Sequence, residues 1–329
     1  MYDVARLAGV SQTTVSFVVN NVTSAAISQE TRDRVWAAIH ALGWRPNAVA
    51  RSLRTRHSQT LGLISDEVVT SPYAVRMILG AQEAAWNNRQ MLLVVNTSGQ
   101  QDIEQTALQF MLERQVEGLI YATMYHHEVT PPPGITTVPT ILVNCFVADR
   151  SLPAIIPDEV QGGYTATETL ILRGHRRIAF INEIIPMPAL FGRLEGYRRA
   201  LIDYGLPFDQ SLVRSCHSNA QDAFSAARDL LERPDRPTAI FCFNDKMAMG
   251  VYDAIKRLGL RIPQDVAVIG FDNLELIAAQ LYPPLTTIEL PHYEMGKRAV
   301  ELLQSLPAGE SLPPTQHYIP CPLIERASI

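Results

Sequence analysis

The sequence is poor in the features that mark several protein classes. Its four cysteines, Cys145, Cys216, Cys242 and Cys321, are scattered, with no CxxC pair and no histidine at metal-ligand spacing. That excludes a zinc ribbon or a disulfide framework and predicts buried, reduced thiols. Long apolar runs are also missing: residues 91–95 and 266–269 are strand-length, far short of the ~20 residues a membrane span needs. The amphipathic N-terminus carries Asp3 and Arg6 and has no basic segment leading into an apolar run, so no secretory leader and no membrane are expected, and the cytoplasm is the expected compartment. There is no GxSxG elbow, no GxxxxGK[ST] phosphate loop and no GxGxxG after the first strand, Gly162-Gly163 being too little to count. Without these motifs neither a catalytic centre nor a cofactor is expected. The cluster His126-His127-Glu128 has metal-binding chemistry, but it precedes Pro131-Pro132-Pro133 and reads as a solvated loop.

What is present describes a folded chain of about two domains. Of 329 residues, 47% are hydrophobic and 19% charged, too apolar and too weakly charged for disorder. The charge is uneven. Residues 1–60 hold seven arginines against three carboxylates, a net +4, while the remainder carries −9. A basic head on an acidic body suits a protein that offers only one end to polyanionic nucleic acid.

Residues 2–8 and 13–20 form two short helical patterns separated by Gly9-Val10-Ser11. The glycine can take the positive φ that ends one helix, and the serine can cap the next. This is the helix-turn-helix arrangement, whose second helix enters the major groove of DNA. Val15, Val18 and Val19 make its packing stripe, leaving Gln12, Thr13, Ser16, Phe17 and Asn20 on the face that reads DNA. Glutamine can bond adenine in bidentate fashion, and a threonine methyl can pack on that of thymine. A third helix is expected from the cap Ser28 to about Leu42, with Val35, Ile39 and Leu42 buried. Residues 47–56 follow, helix-capable but too basic and too short to fold alone.

Three stretches carry a resemblance. Tyr-Asp-Val-Ala-Arg-Leu-Ala-Gly-Val-Ser over residues 2–11, Thr-Val-Ser-Phe-Val-Val-Asn over 14–20 and Arg-Pro-Asn-Ala-Val-Ala-Arg-Ser-Leu over 45–53 resemble the lactose-repressor (LacI/GalR) family of bacterial transcription regulators. The resemblance implies a hinge helix in the minor groove, with Asn47 and Ala50 against DNA and Leu53 as the wedge between base pairs; an apolar wedge kinks DNA in exchange for added contact. Where many family members have an arginine in the recognition helix this chain has Phe17, which offers only apolar contact in place of a bidentate grip on guanine. A different operator half-site is implied.

From residue 61 strand-like runs alternate with helix-length segments. Strands are expected at 61–65, 91–96, 117–121 and 140–144, then near 177–181, 238–243 and 266–271, and helices at 194–204, 220–232 and 246–258. This is the rhythm of parallel doubly wound α/β sheets, in two similar lobes. The motifs Arg-Gly-His-Arg-Arg-Ile-Ala, Phe-Asn-Asp-Lys-Met-Ala and Gly-Phe-Asp-Asn resemble the two-lobed, periplasmic-binding-protein-like body of the same family. The implied division is a headpiece at 1–46, a hinge at 47–59, a first lobe at 60–158 with 291–318, and a second lobe at 159–290 with 319–329.

Ligands of open α/β sheets bind beyond the carboxyl ends of the strands. Asn144, Asn244 and Asp272 each close a strand, and Arg193 is expected to begin a helix after the Pro186 and Pro188 loop. By resemblance Arg193, Asn244 and Asp272 match residues that grip the effector, with Tyr73 and Phe146 as an apolar or stacking wall. An aspartate there can also be a helix cap, and an asparagine a turn residue. The resemblance implies a repressor controlled by a sugar or sugar derivative, with a purine or other metabolite as the alternative, acting as a homodimer on a pseudo-palindromic double-stranded operator. No leucine-heptad extension follows Glu325-Arg326, so a dimer is expected in place of a tetramer. A stand-alone solute-binding protein would share the body but would need export.

Overall fold

The computed structural model describes residues 1–22, 25–44, 57–70, 72, 74–307 and 310–329. It divides into two compact units, 1–59 and 60–329.

The first unit holds three helices: α1 (Tyr2–Ala8), α2 (Gln12–Val19) and α3 (Gln29–Leu42). Gly9 closes α1 at φ 65°, and the Ser11 hydroxyl accepts from the Thr14 N–H at 3.0 Å. Both devices are local, and together they fix the three-residue turn. Val4, Val15, Val18, Val35, Ala38 and Ile39 form the core. Leu42, expected inside, is exposed. The reason is the helix end: Gly43 turns left-handed, the Trp44 N–H returns to the Ile39 carbonyl, and Trp44 packs against the core instead.

The second unit contains two six-stranded sheets. The first comprises β1 (Thr60–Ser65), β2 (Met91–Asn96), β3 (Leu119–Glu128), β4 (Thr140–Phe146), β5 (Ala154–Pro157) and β11 (Gln316–Ile319), in the order β11-β5-β4-β3-β1-β2. The second comprises β6 (Ile178–Glu183), β7 (Val213–Cys216), β8 (Ala239–Cys242), β9 (Ala267–Asp272), β10 (Thr286–Glu289) and β12 (Leu323–Ile324), in the order β12-β10-β9-β8-β6-β7. Every pairing is parallel except β10 with β12. Strands so nearly apolar, covered by helices on both faces, are what parallel sheets require.

Helices α4 (Val75–Asn87), α5 (Gln101–Glu113) and α11 (His292–Gln304) pack with the first sheet. The second carries α6 (Glu159–Leu172), α7 (Pro188–Asp203), α8 (Ala220–Leu231), α9 (Asp245–Arg257) and the short α10 (Glu275–Ala278). The chain passes between sheets three times: from β5 to α6, from β10 to α11, and from β11 to β12. Where α8 meets α9, Gly250 lies so close to the Ala220 carbonyl that a Cβ has no room. Among the described residues no helix is long and apolar enough to cross a membrane.

Candidate effector cleft and DNA-facing surface

The carboxyl ends of both sheets face a shared cleft of about 350 Å³. From the first sheet come Met124, Tyr125, His126 and Asn144. The second supplies Glu159, Glu183, Arg193, His217, Ser218, Phe243, Asn244, Lys246 and Asp272, with Ile185, Met187, Ala189 and Leu290 as apolar wall.

Arg193 is the centre of the second-lobe wall. Its Nε donates to Glu159 Oε2 at 2.8 Å, a terminal nitrogen donates to the Phe243 carbonyl, and the other lies 3.5 Å from Asp272 Oδ1. Its guanidinium lies 3.6 Å from the ring centroid of Phe271 and 4.3 Å from that of Phe243. Burying such a charge is tolerable only because it is paired and its donors are used. Arg193 does not begin its helix. Pro188 does, because its fixed φ suits the first helical position, and Arg193 stands in the second turn, 2% exposed.

Asp272 ends β9 with φ 100°, and Asn273 follows at φ 49°. Burial lifts the Asp272 carboxyl to about 6; Arg193 opposes that rise and Glu159 adds to it. Asp272 caps no helix. The neighbouring Asp245, deep beneath the cleft, accepts from Thr287 Oγ1 at 2.6 Å and the Leu274 N–H at 2.7 Å. Burial, reinforced by Asp272, raises it to about 8.

Asn244 is the N-cap of α9, accepting from the Met247 N–H at 3.0 Å and donating to the Ser218 hydroxyl. Ser218 is held by Glu183, whose Oε2 accepts from the Ser218 N–H at 3.1 Å and whose Oε1 accepts from Ile184 and Ile185. Asn144, buried at φ 61°, donates to the Thr123 and Met124 carbonyls at 3.1 and 2.9 Å, pinning the end of β3.

Asn144, Arg193, Asn244 and Asp272 therefore share one cleft. Phe146 is not among its lining residues. It stands behind the wall, edge-on to His126 at 5.5 Å and under the Arg150 guanidinium at 3.4 Å. Tyr73 lies outside the described residues. The segment expected as a solvated loop, His126-His127-Glu128, is the end of β3: after an irregularity at the strand, pairing resumes with His127 opposite Cys145 and Glu128 opposite Phe146. His126 lines the cleft, with burial lowering its imidazole to about 4 and Arg150 reinforcing the shift. Among the described residues no group of three His, Cys, Asp or Glu side chains is placed to hold a metal ion. All four cysteines are free; Cys216 is half-buried and the others are buried.

Sequence reasoning missed Glu159, Glu183, His126 and Lys246. Lys246 lay within the Phe-Asn-Asp-Lys motif and could have been noticed. Glu159 is 34 positions from its partner Arg193, and no local signal links them.

On the helical unit Gln12, Thr13 and Phe17 are exposed and Ser16 is half-buried. Asn20 is exposed too, but its amide folds back on α2, donating to the Ser16 carbonyl at 2.7 Å. Asn47, Ala50 and Leu53 lie outside the described residues.

Comparison with known proteins places both units. Residues 1–47 match the family model "Bacterial regulatory proteins, lacI family", and residues 58–327 match "Periplasmic binding proteins and sugar binding domain of LacI family". The chain is 36% identical over 305 residues to the ribose operon repressor of Escherichia coli K12, covering 92% of this chain and 91% of that one. It is 34% identical over 303 residues to the transcriptional repressor PurR of Vibrio atlanticus, covering 92% and 90%. Among solved structures, the lac repressor dimer bound to operator and an anti-inducer superposes with a TM-score of 0.78 at 28% identity, over 99% of this chain and 98% of that one. A three-helix unit with the helix-turn-helix arrangement, a two-lobed parallel α/β body and full-length matches to repressors lead to one conclusion: the chain belongs to the LacI family of bacterial regulatory proteins and is a DNA-binding transcription regulator.

Proposed function

We propose that this regulator is a repressor whose dimer reads a pseudo-palindromic operator through Gln12, Thr13, Ser16 and Phe17 of each α2, with Asn20 closing that helix. The segment 47–59 is its hinge, and Asn47, Ala50 and Leu53 meet the minor groove. The protein acts in the cytoplasm, where the operator is.

A sugar or sugar derivative is the effector, bound between a first lobe of residues 60–158 and 291–318 and a second lobe of 159–290 and 319–329. Asp272 accepts from its hydroxyls, Arg193 holds Asp272 in place and donates where its geometry allows, and Asn144 and Asn244 offer amide groups at the two walls. The observation that carries the reading is the Glu159–Arg193–Asp272 group facing a cleft of mixed polar and apolar lining at the ends of both sheets. Lobe closure then biases hinge folding on DNA, an allosteric coupling that is reciprocal and typically about 1–3 kcal/mol. A purine effector is the second reading, and the likeness to a repressor named PurR agrees with it.

Dimerisation is supported by an exposed apolar stripe on the first lobe, Val75, Leu79 and Trp86 of α4, beside Met91 and Val94 of β2. The test of the cleft is Asp272→Asn. It should abolish the thermal shift given by the true effector, and hence operator release, while the unliganded protein still melts cooperatively. An undiminished shift would place the effector elsewhere.

A further inference from the structure

The turn that carries Asp272 is one that a chain adopts only under outside restraint. Asp272 and Asn273 stand in succession at φ 100° and 49°. Two neighbouring residues with side chains persist at positive φ where the surroundings over-determine them, as they do around ligand clamps. The restraints here come from three sides. The Leu274 N–H donates to Asp245 Oδ2 at 2.7 Å, Asn273 Oδ1 accepts from an Arg326 terminal nitrogen at 2.8 Å, and Asn273 Nδ2 donates to Glu289 Oε2 at 3.2 Å.

Glu289 ends β10 opposite Asp272 of β9, just before the chain crosses to the first lobe. Its other oxygen, Oε1, lies 3.3 Å from a guanidinium nitrogen of Arg76, in the first turn of α4. One carboxylate thus has one arm on the Asp272 turn of the second lobe and the other on a helix of the first. That helix has little slack. Gly80 of α4 lies against the Tyr293 carbonyl and Gly296 of α11 against the Met77 carbonyl, each too close for a Cβ, and α11 begins three residues after Glu289. Val75 and Leu79, to either side of Arg76 along α4, belong to the exposed apolar stripe proposed as the dimer face.

We propose that Glu289 is a positioning residue that ties the Asp272 turn to α4, so that a change at either end is transmitted to the other. A ligand that displaces Asp272 pulls on Asn273 and, through Glu289, on Arg76; a rearrangement of α4 acts back on the turn, as linkage requires. The proposal rests on the reading of the cleft as the effector site, and it adds the route by which occupancy reaches the first lobe. A half-exposed ion pair shifts an equilibrium by no more than about fivefold, which sets the size of the expected effect.

The test is hydrogen–deuterium exchange of the full-length protein without ligand, read by mass spectrometry at residues 272–276 and 77–80, with strand β8 as control. Arg76→Gln, a change made in the first lobe, should speed exchange at 272–276 in the second by about threefold, while Arg76→Lys, which keeps the charge, should stay within about 1.5-fold of the parent. In the other direction Asn273→Ala should speed exchange at 77–80 by a similar factor, and Glu289→Ala, which removes both arms, should do both. Unchanged exchange at 272–276 in Arg76→Gln and Glu289→Ala overturns the tie and leaves an idle surface pair. An equal rise in β8 overturns it as well, since that is general destabilisation, and so does a lysine variant as fast as the glutamine one. No effector enters this experiment, so its failure is distinct from failure of the cleft reading. If Asp272→Asn keeps its ligand's thermal shift, the tie between lobes is upheld and its part in the effector response falls.

Discussion

Asp245 sits under the cleft with both carboxylate oxygens receiving hydrogen bonds, yet burial raises it to about 8 from an ordinary 3.8. A carboxyl raised in the folded state binds its proton more tightly there than in the unfolded chain. Its contribution to stability is therefore complete below about pH 4 and lost as pH rises through 8. Asp272, raised to about 6, acts in the same direction over a lower window. We expect the urea midpoint to fall between pH 5.5 and 8.5, and Asp245→Asn to flatten that fall. An unchanged pH slope in the variant would mean that Asp245 is already ionised in the folded protein.

At this scale the sequence was informative only where residue type and element boundary coincide. Asp272 was recognisable because it closes an apolar strand, the position where α/β sheets present ligand groups, and Asn244 because it stands just beyond one, at the start of α9; Arg193, within its helix, came from the resemblance. Glu159 and Glu183 were not: their meaning depends on Arg193 and on the Ser218 backbone, partners brought close only by the packing of α6 on α7 and of β6 on β7. His126 was misread because the prolines at 131–133 suggested a loop, while cross-strand pairing carries β3 on to Glu128.

Elements were more legible than residues, since periodicity and caps are local. α1 occupies the expected 2–8, and β2 the expected 91–96. The limits shifted where a proline or a partner strand set them, as at Pro188 for α7 and at the far end of β3. Close approach between helices was not legible, because a glycine in a helical pattern does not say what it faces. Gly250 faces the Ala220 carbonyl, bringing α9 against α8 near the helix starts that carry Asn244 and Ser218 toward the cleft. Gly250→Ala should push these helices apart, costing about 1–3 kcal/mol as overpacking does, and should weaken effector binding as Asn244 is displaced. A urea midpoint equal to that of the parent would show that the interface can yield without cost.

For the whole molecule, the fold class followed from the alternation of strands and helices, and the headpiece from a glycine, a serine and a valine stripe. The proposed dimer surface was beyond reach, because an apolar residue at a helical period reads as core until the structure leaves it exposed. Leu79 is central to the stripe between Val75 and Trp86 and is 49% exposed. Leu79→Glu should convert the dimer to monomers at micromolar concentration in sedimentation equilibrium. Operator affinity should fall with it, because two tethered headpieces bind far more tightly than one. A dimer mass that persists would move the interface to another face.

The three passages of the chain between the sheets also bear on how the body is made. Strand β5 is covered by β11, and α4 by α11, yet both covering elements are synthesised about 160 residues or more after the strand and helix they protect. Until the ribosome has delivered them, the first lobe has an open strand edge at β5 and a bare apolar face on α4, features that invite aggregation. Neither lobe can be completed by the stretch of chain that begins it. A nascent chain that stops at Pro157 is thus marked as unfinished by its own exposed surfaces, and only one read through to β11 presents the covered lobe of the native regulator.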